Sequence, residues 1–135
     1  MHLPGRGIIL LQYQTMKHRS LGKSFSNAFS GVLTFFANDR NGRIHLAAAI
    51  WVSIGGIYFA ISISEWAILL LCMGFVICME MINHSLEKVC DSIHTSYHPL
   101  VKAAKDVSAA AVLCSAIISA IIGLLLFVPK IAALV

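Results

Sequence analysis

Trp66-Ala67-Ile68-Leu69-Leu70-Leu71-Cys72-Met73-Gly74-Phe75-Val76-Ile77-Cys78-Met79 carries no charge, and it runs without a break into Glu80-Met81-Ile82-Asn83-His84-Ser85-Leu86-Glu87-Lys88-Val89-Cys90-Asp91. At about 1.5 Å per residue, the uncharged part is too short to cross a hydrocarbon layer of roughly 30 Å. It becomes long enough only if one helix continues through Glu80 and Asn83 towards Leu86. The reading that decides the fold is therefore a membrane-spanning helix with a carboxylate inside the apolar layer. A charged side chain near a bilayer centre costs at least about 2.5–3.5 kcal/mol on insertion scales, so one that is retained faces a protein interior and has a task there.

The rest of the chain agrees with a membrane setting. Of 135 residues, 59% are hydrophobic and 12% charged, and the mean hydropathy is +0.84. That is too apolar for a soluble domain with a polar surface. Residues 46–64 and 107–128 contain no charged side chain and approach or exceed the length needed to span. The expected class is an all-α integral membrane protein with three transmembrane helices, over about 44–64, 66–88 and 104–128. The connection around Ser62-Ile63-Ser64-Glu65 reads as a tight turn, with Trp66 as an interfacial anchor.

Ahead of these spans, Leu21, Phe25, Ala28, Phe29, Val32 and Phe36 recur at helical spacing, with Lys23, Ser24, Ser26, Asn27 and Ser30 on the remaining surface. This predicts an amphipathic helix over about 20–37, lying in the interface or packed on the other helices. Asn38-Asp39-Arg40-Asn41-Gly42 breaks the pattern. Residues 1–16 hold a breaker cluster, Leu3-Pro4-Gly5-Arg6-Gly7, and an apolar run too short to span. They read as a disordered extension or an upstream start, ahead of a membrane domain over 17–135.

Basic residues set the orientation. Lys17, Arg19, Lys23, Arg40 and Arg43 precede the first span, Lys88, Lys102 and Lys105 lie between the second and third, and the opposite side has Lys130. The positive-inside rule puts the first two groups in the cytoplasm. A net charge of +4 suits anionic headgroups, and there is no basic run interleaved with aromatics and no nucleic-acid motif. Cys72, Cys78, Cys90 and Cys114 lack metal or redox spacing and read as small apolar helix residues. In the third span Ala103, Val107, Ala111, Ser115, Ser119 and Gly123 form a mostly small stripe suited to close helix packing. Three spans shield Glu80 poorly, so a homo-oligomer is expected.

Glu80, Asn83, Glu87 and Asp91 fall on one helical stripe, with Glu80 and Glu87 about 10 Å apart along the axis. The deep carboxylate is placed to accept a proton and the shallow one to hold a hard cation. Two other readings stand beside this one. One is structural, the stripe residues bonding to one another and to Lys102 or Lys105; the other binds a transition metal through Glu80, His84 and Glu87, with His94 and His98 helping. Lys105-Asp106, with Lys102 a turn before, suits a phosphate-bearing partner. Gly22-Lys23-Ser24 imitates the end of a P-loop, but the first glycine of that motif would fall at Lys17.

Glu80-x-x-Asn83-x-x-x-Glu87-x-x-x-Asp91, then Tyr97-His98-Pro99-Leu100 and Lys102-Ala103-Ala104-Lys105-Asp106-Val107-Ser108-Ala109-Ala110-Ala111-Val112, resembles the prokaryotic diacylglycerol kinase family. The resemblance covers about residues 17–130. Arg43-Ile44-His45-Leu46 and Phe127-Val128-Pro129-Lys130 look more like its undecaprenol-kinase branch. It implies a homotrimeric bundle in the bacterial inner membrane, each subunit with three spans and a surface helix, and active sites shared between neighbours and facing the cytoplasm. It also implies transfer of the γ-phosphoryl of Mg-ATP to the hydroxyl of a membrane lipid alcohol, undecaprenol rather than diacylglycerol. By the same resemblance Glu80 is the general base, Asn83 an active-site amide, and Glu87 and Asp39 the carboxylates for magnesium and ATP. Tyr97, His98, Lys105 and Asp106 fall at nucleotide-contacting positions. Asp39 stands where the family more often has a glutamate, and Asn27 where a tyrosine is common. A competing class is a small oligomeric transporter or proton-coupled channel with Glu80 as its intramembrane site.

Overall fold

The computed structural model describes residues 20–93 and 96–134. The extension expected over 1–16, Lys17, Arg19 and His94 lie outside them. The described residues form four α-helices and no strand: α1 Leu21–Asn38, α2 Arg40–Tyr58, α3 Ile63–Ile93 and α4 Pro99–Ala132.

α1, up to Ala37, belongs to one compact unit and the described residues from Asn38 onward to a second. Ser20 starts it, with its carbonyl accepting from the Ser24 N–H at 3.1 Å and its Oγ accepting from the Lys23 N–H at 3.4 Å. Leu21, Phe25, Phe29 and Leu33 stand four residues apart on one face, and all are strongly exposed. The amphipathic helix thus forms where its periodicity predicts, one residue later at each end.

The second unit departs from expectation at its first turn. The apolar run 46–64 is not one helix. α2 stops at Tyr58 and α3 is already under way at Ile63, so the predicted 44–64 span becomes a helix of 19 residues over 40–58. The stop is a Schellman motif. Phe59 is the C-cap, Ala60 takes the left-handed conformation at φ 46°, and the Ala60 and Ile61 N–H groups donate to the carbonyls of Ile57 and Gly56. Ile61 folds back over Gly56, a contact that frequently accompanies the motif. The start of α3 is a capping box: the Glu65 carboxylate accepts from the Ser62 N–H at 2.6 Å, while Ser62 Oγ accepts from the Glu65 N–H at 3.3 Å. Because the turn residues Phe59, Ala60 and Ile61 are themselves apolar, hydropathy runs straight through them.

α3 and α4 are long and apolar enough to cross a membrane, and little of either is buried within the chain. Leu70, Leu71 and Phe75 on α3, with Leu113, Leu124 and Leu125 on α4, are among many large apolar side chains that face outward. An outer surface of this kind suits hydrocarbon rather than water. Both helices exceed the predicted 66–88 and 104–128, since their polar ends stay helical. α4 begins with Pro99 at its first position, where the missing N–H costs nothing, and it continues through Pro129.

α3 and α4 run antiparallel, with an ion pair at each end of the hairpin. Lys130 Nζ lies 3.0 Å from Glu65, and Lys105 Nζ lies 2.9 Å from Asp91. Partly exposed pairs contribute little stability, but they mark the register. At 1.5 Å per residue the two pairs stand about 38 Å apart, wider than a hydrocarbon core. Counting inward from them places Ser115 level with Glu80. Both are only 2% exposed.

Candidate functional site

The polar stripe of α3 meets the N-terminal turns of α2. Asp39 is the N-cap of α2, its Oδ2 accepting from the Gly42 N–H at 2.8 Å, which fixes the first turn. Its other oxygen, Oδ1, lies 3.4 Å from His84 Nδ1 on α3. Two residues further on, the Asn41 side chain lies near the Glu80 carboxylate. Asp39, His45 and Glu87 all lie near enough to act on Glu80 by charge. The deep carboxylate is therefore surrounded by α2 on one side and by its own stripe on the other.

Asn83, one turn along, is buried at 6% exposure, and among the described residues its Oδ1 has no hydrogen-bond partner. A buried acceptor without a donor is uncommon, because it forfeits its hydration without replacement. Ser115 does not supply the donor: its hydroxyl bonds to the Val112 carbonyl of its own helix at 2.7 Å.

The remaining predicted residues lie further out. Lys105 is paired with Asp91, and Asp106 with Lys102 at 2.6 Å on the exposed surface of α4. Lys105 thus bonds one member of the stripe, as the structural reading expects, while Lys102 is paired on its own helix. Tyr97 is exposed, and His98 is the half-buried N-cap of α4 without a side-chain capping bond. Among the described residues no group of three or more His, Cys, Asp or Glu side chains gathers to hold a metal. The transition-metal reading through Glu80, His84 and Glu87 is not assembled.

Beside the acidic group, an apolar cavity of about 470 Å³ separates α2, α3 and α4, with His45 towards one end and Phe127 towards the other. Two residues that sequence reasoning did not assign to the site emerge here. Asn41 and His45 stand four apart on α2, behind a helix-capping aspartate, and that spacing aims them at a common neighbour.

The model of the family described as prokaryotic diacylglycerol kinase matches residues 26–127. The chain belongs to the prokaryotic diacylglycerol kinase family. It is 44% identical over 108 residues to an undecaprenol kinase of Bacillus subtilis (strain 168), covering 80% of this chain and 88% of that protein. A diacylglycerol kinase of Synechocystis sp. is 38% identical over 112 residues, covering 82% of this chain and 64% of the relative. A diacylglycerol kinase of Helicobacter pylori (strain J99) is 30% identical over 104 residues, covering 77% and 81%. These are lipid kinases, and a kinase needs a nucleotide phosphoryl donor. The transporter or channel reading has no support from this membership.

Proposed function

We propose that this protein is an ATP-dependent lipid kinase that moves the γ-phosphoryl group of Mg-ATP to the hydroxyl of a membrane lipid alcohol, with undecaprenol favoured over diacylglycerol. The observation that carries the reading is the buried Glu80 carboxylate, held against α2 beside the unpartnered Asn83 acceptor and within electrostatic reach of Glu87 and Asp39. Phosphoryl transfer needs positioning and charge neutralisation more than covalent help from the protein. Glu80 takes the proton of the lipid hydroxyl, and Asn83 Oδ1 is a ready acceptor for a hydroxyl entering from the apolar side. The acceptor preference rests on the higher identity to the Bacillus undecaprenol kinase than to the two diacylglycerol kinases above.

Asp39 and Glu87 are the residues that would hold magnesium. Hard oxygen donors suit it, and magnesium is commonly bound by one or two carboxylates together with substrate phosphates rather than by an all-protein cage. Two carboxylates fit that habit. When bound, the ion neutralises phosphate charge. Tyr97, His98, Lys105 and Asp106 are the proposed nucleotide contacts, with Lys105 exchanging its Asp91 partner for phosphate.

The same reading puts α2 across the membrane as a third span, since its 19 residues reach about 28 Å. It places α1 in the interface, the acidic site at the cytoplasmic face of the bacterial inner membrane, and three copies in a trimer that completes each site. The test is to incubate membranes containing the protein with labelled ATP and extract with organic solvent, offering undecaprenol and diacylglycerol separately. Label in the lipid phase is expected, greater with undecaprenol, and abolished by Glu80→Gln while ATP binding is retained. Normal turnover in that variant would rule out the base assignment.

A further inference from the structure

Asp39 bridges the start of α2 and the middle of α3 with one short side chain. Its Oδ2 accepts from the Gly42 N–H at 2.8 Å, the N-cap bond of α2. Its Oδ1 lies 3.4 Å from Nδ1 of His84 on α3. The His84 and Asp39 side chains are only 20% and 14% exposed, so this contact is screened less than one on the open surface. The cap bond alone would leave the carboxylate hinged on one oxygen. A second contact, on the other oxygen and from another helix, fixes its plane.

His84 also decides where on α3 that carboxylate arrives. It stands three residues before Glu87, and positions three apart on a helix are surface neighbours, with Cβ atoms about 5–6 Å apart. An α2 acid that meets His84 is therefore brought to the turn of α3 that carries Glu87. The two acids come from different helices, and nothing in the spacing along α3 joins them. An ionised carboxylate has about four lone-pair sites. One accepts from Gly42 and one faces His84, which leaves others on Asp39 for a cation. Imidazole itself suits softer metals than magnesium, and among the described residues no group of three ligating side chains forms around it.

We infer that His84 is a positioning residue for Asp39: its Nδ1–H donates to Asp39 Oδ1, fixes the plane of that carboxylate and ties it to the α3 turn of Glu87, so that both acids face one divalent cation. The inference rests on the assignment of Asp39 and Glu87 to magnesium in the proposed function. Partners of this kind, bonded to a ligand rather than to the metal, orient the ligand, and losing one typically lowers metal affinity by about 10- to 100-fold.

The test measures Mg-ATP binding by calorimetry on the purified full chain in lipid-free detergent micelles, alongside KM and kcat in the lipid-phosphorylation assay. His84→Leu keeps much of the bulk without a donor, His84→Ala removes both, and His84→Asn keeps an amide donor near the place of Nδ1. The Leu and Ala variants should bind Mg-ATP about 10- to 100-fold more weakly, with the loss appearing in KM and kcat at saturation within about threefold of wild type. The Asn variant should recover most of the affinity. Wild-type affinity in Leu or Ala overturns the inference, and so does an Asn variant as weak as Leu. If the Leu variant does not fold, Ala and Asn decide in the same way. Asp39→Asn preserves the helix cap, since asparagine caps as well as aspartate, and removes the ligand charge. Because His84 acts through Asp39, adding His84→Leu to Asp39→Asn should cost less than about twofold more, whereas additive losses, as from a histidine that ligates the metal itself, overturn the inference. Full affinity in Asp39→Asn refutes the magnesium assignment beneath it. A weak Asp39→Asn beside unaffected His84 variants refutes this inference alone.

Discussion

Two adjacent glycines near the end of α2 allow the packing of the α2–α3 corner to be measured by difference. A methyl group added at Gly56 would stand 2.9 Å from two ring carbons of Trp66 and 3.0 Å from Ile61 Cδ1, whereas one added at Gly55 would meet Phe127 at 3.5 Å. Carbon pairs are most favourable at about 3.5–4.0 Å, so Gly55→Ala makes an ordinary contact and Gly56→Ala is short by roughly 0.5 Å or more against two separate side chains. Ile61 is held over Gly56 by the Schellman motif, and the indole follows directly on the capping box, so neither yields without disturbing the turn. Overpacking of this kind costs about 1–3 kcal/mol. Both substitutions gain up to about 1 kcal/mol of helix propensity over glycine. That gain cancels in the comparison, leaving the overpacking cost as the difference between the two variants. At about 4 °C per kcal/mol for a chain of this size, their midpoints should differ by about 4–12 °C. The assay is stepwise heating of detergent-purified protein, with the folded fraction read by size-exclusion chromatography. Gly55→Ala should match or exceed wild type. A Gly56→Ala midpoint equal to or above that of Gly55→Ala would refute the account of the corner.

Other substitutions test the acidic site and its support. Glu87→Gln should weaken Mg-ATP binding by on the order of tenfold or more, since losing even an outer partner of a metal ligand costs about 10- to 100-fold; a KM for ATP unchanged across a magnesium titration would argue against it. Ser115→Leu should lower stability by about 1–3 kcal/mol and reduce turnover, because it wedges α3 from α4 at the level of Glu80. Ser115→Ala should spare both, as the hydroxyl serves only its own helix. Heat inactivation and lipid phosphorylation measured side by side would detect a failure of either expectation.

Much of this architecture is legible along the chain because its signals are periodic. The apolar repeat of α1 and the four-residue stripe from Glu80 to Asp91 both survive into the structure. What the sequence conceals is local or reciprocal. The end of α2 is hidden because a Schellman turn made of Phe59, Ala60 and Ile61 is as hydrophobic as the helices beside it. The Ser62-to-Glu65 capping signature was the available clue to a helix start. Asn41 and His45 are hidden because polar residues in the first two turns of a helix look like ordinary solvated surface; only the packing of α2 against α3 shows which carboxylate they meet. Lys105 illustrates the opposite limit. Its place beside the site was foreseeable, but its pairing with Asp91 depends on the angle at which two helices leave the membrane.

The ion pairs at the two ends of the α3–α4 hairpin bear on how the protein answers its lipid. A hairpin packed along its length, its register marked by Glu65–Lys130 and Asp91–Lys105, does not meet a thinner or thicker bilayer by sliding one helix along the other. Tilting remains, and a typical tilt of about 20° shortens the projection of a helix by only about 6%. Glu80 lies about 16 Å below the Asp91 layer along the axis, so such a tilt moves it by roughly 1 Å relative to that layer. The depth of the buried carboxylate is thus counted out in residues, and bilayer thickness hardly alters it.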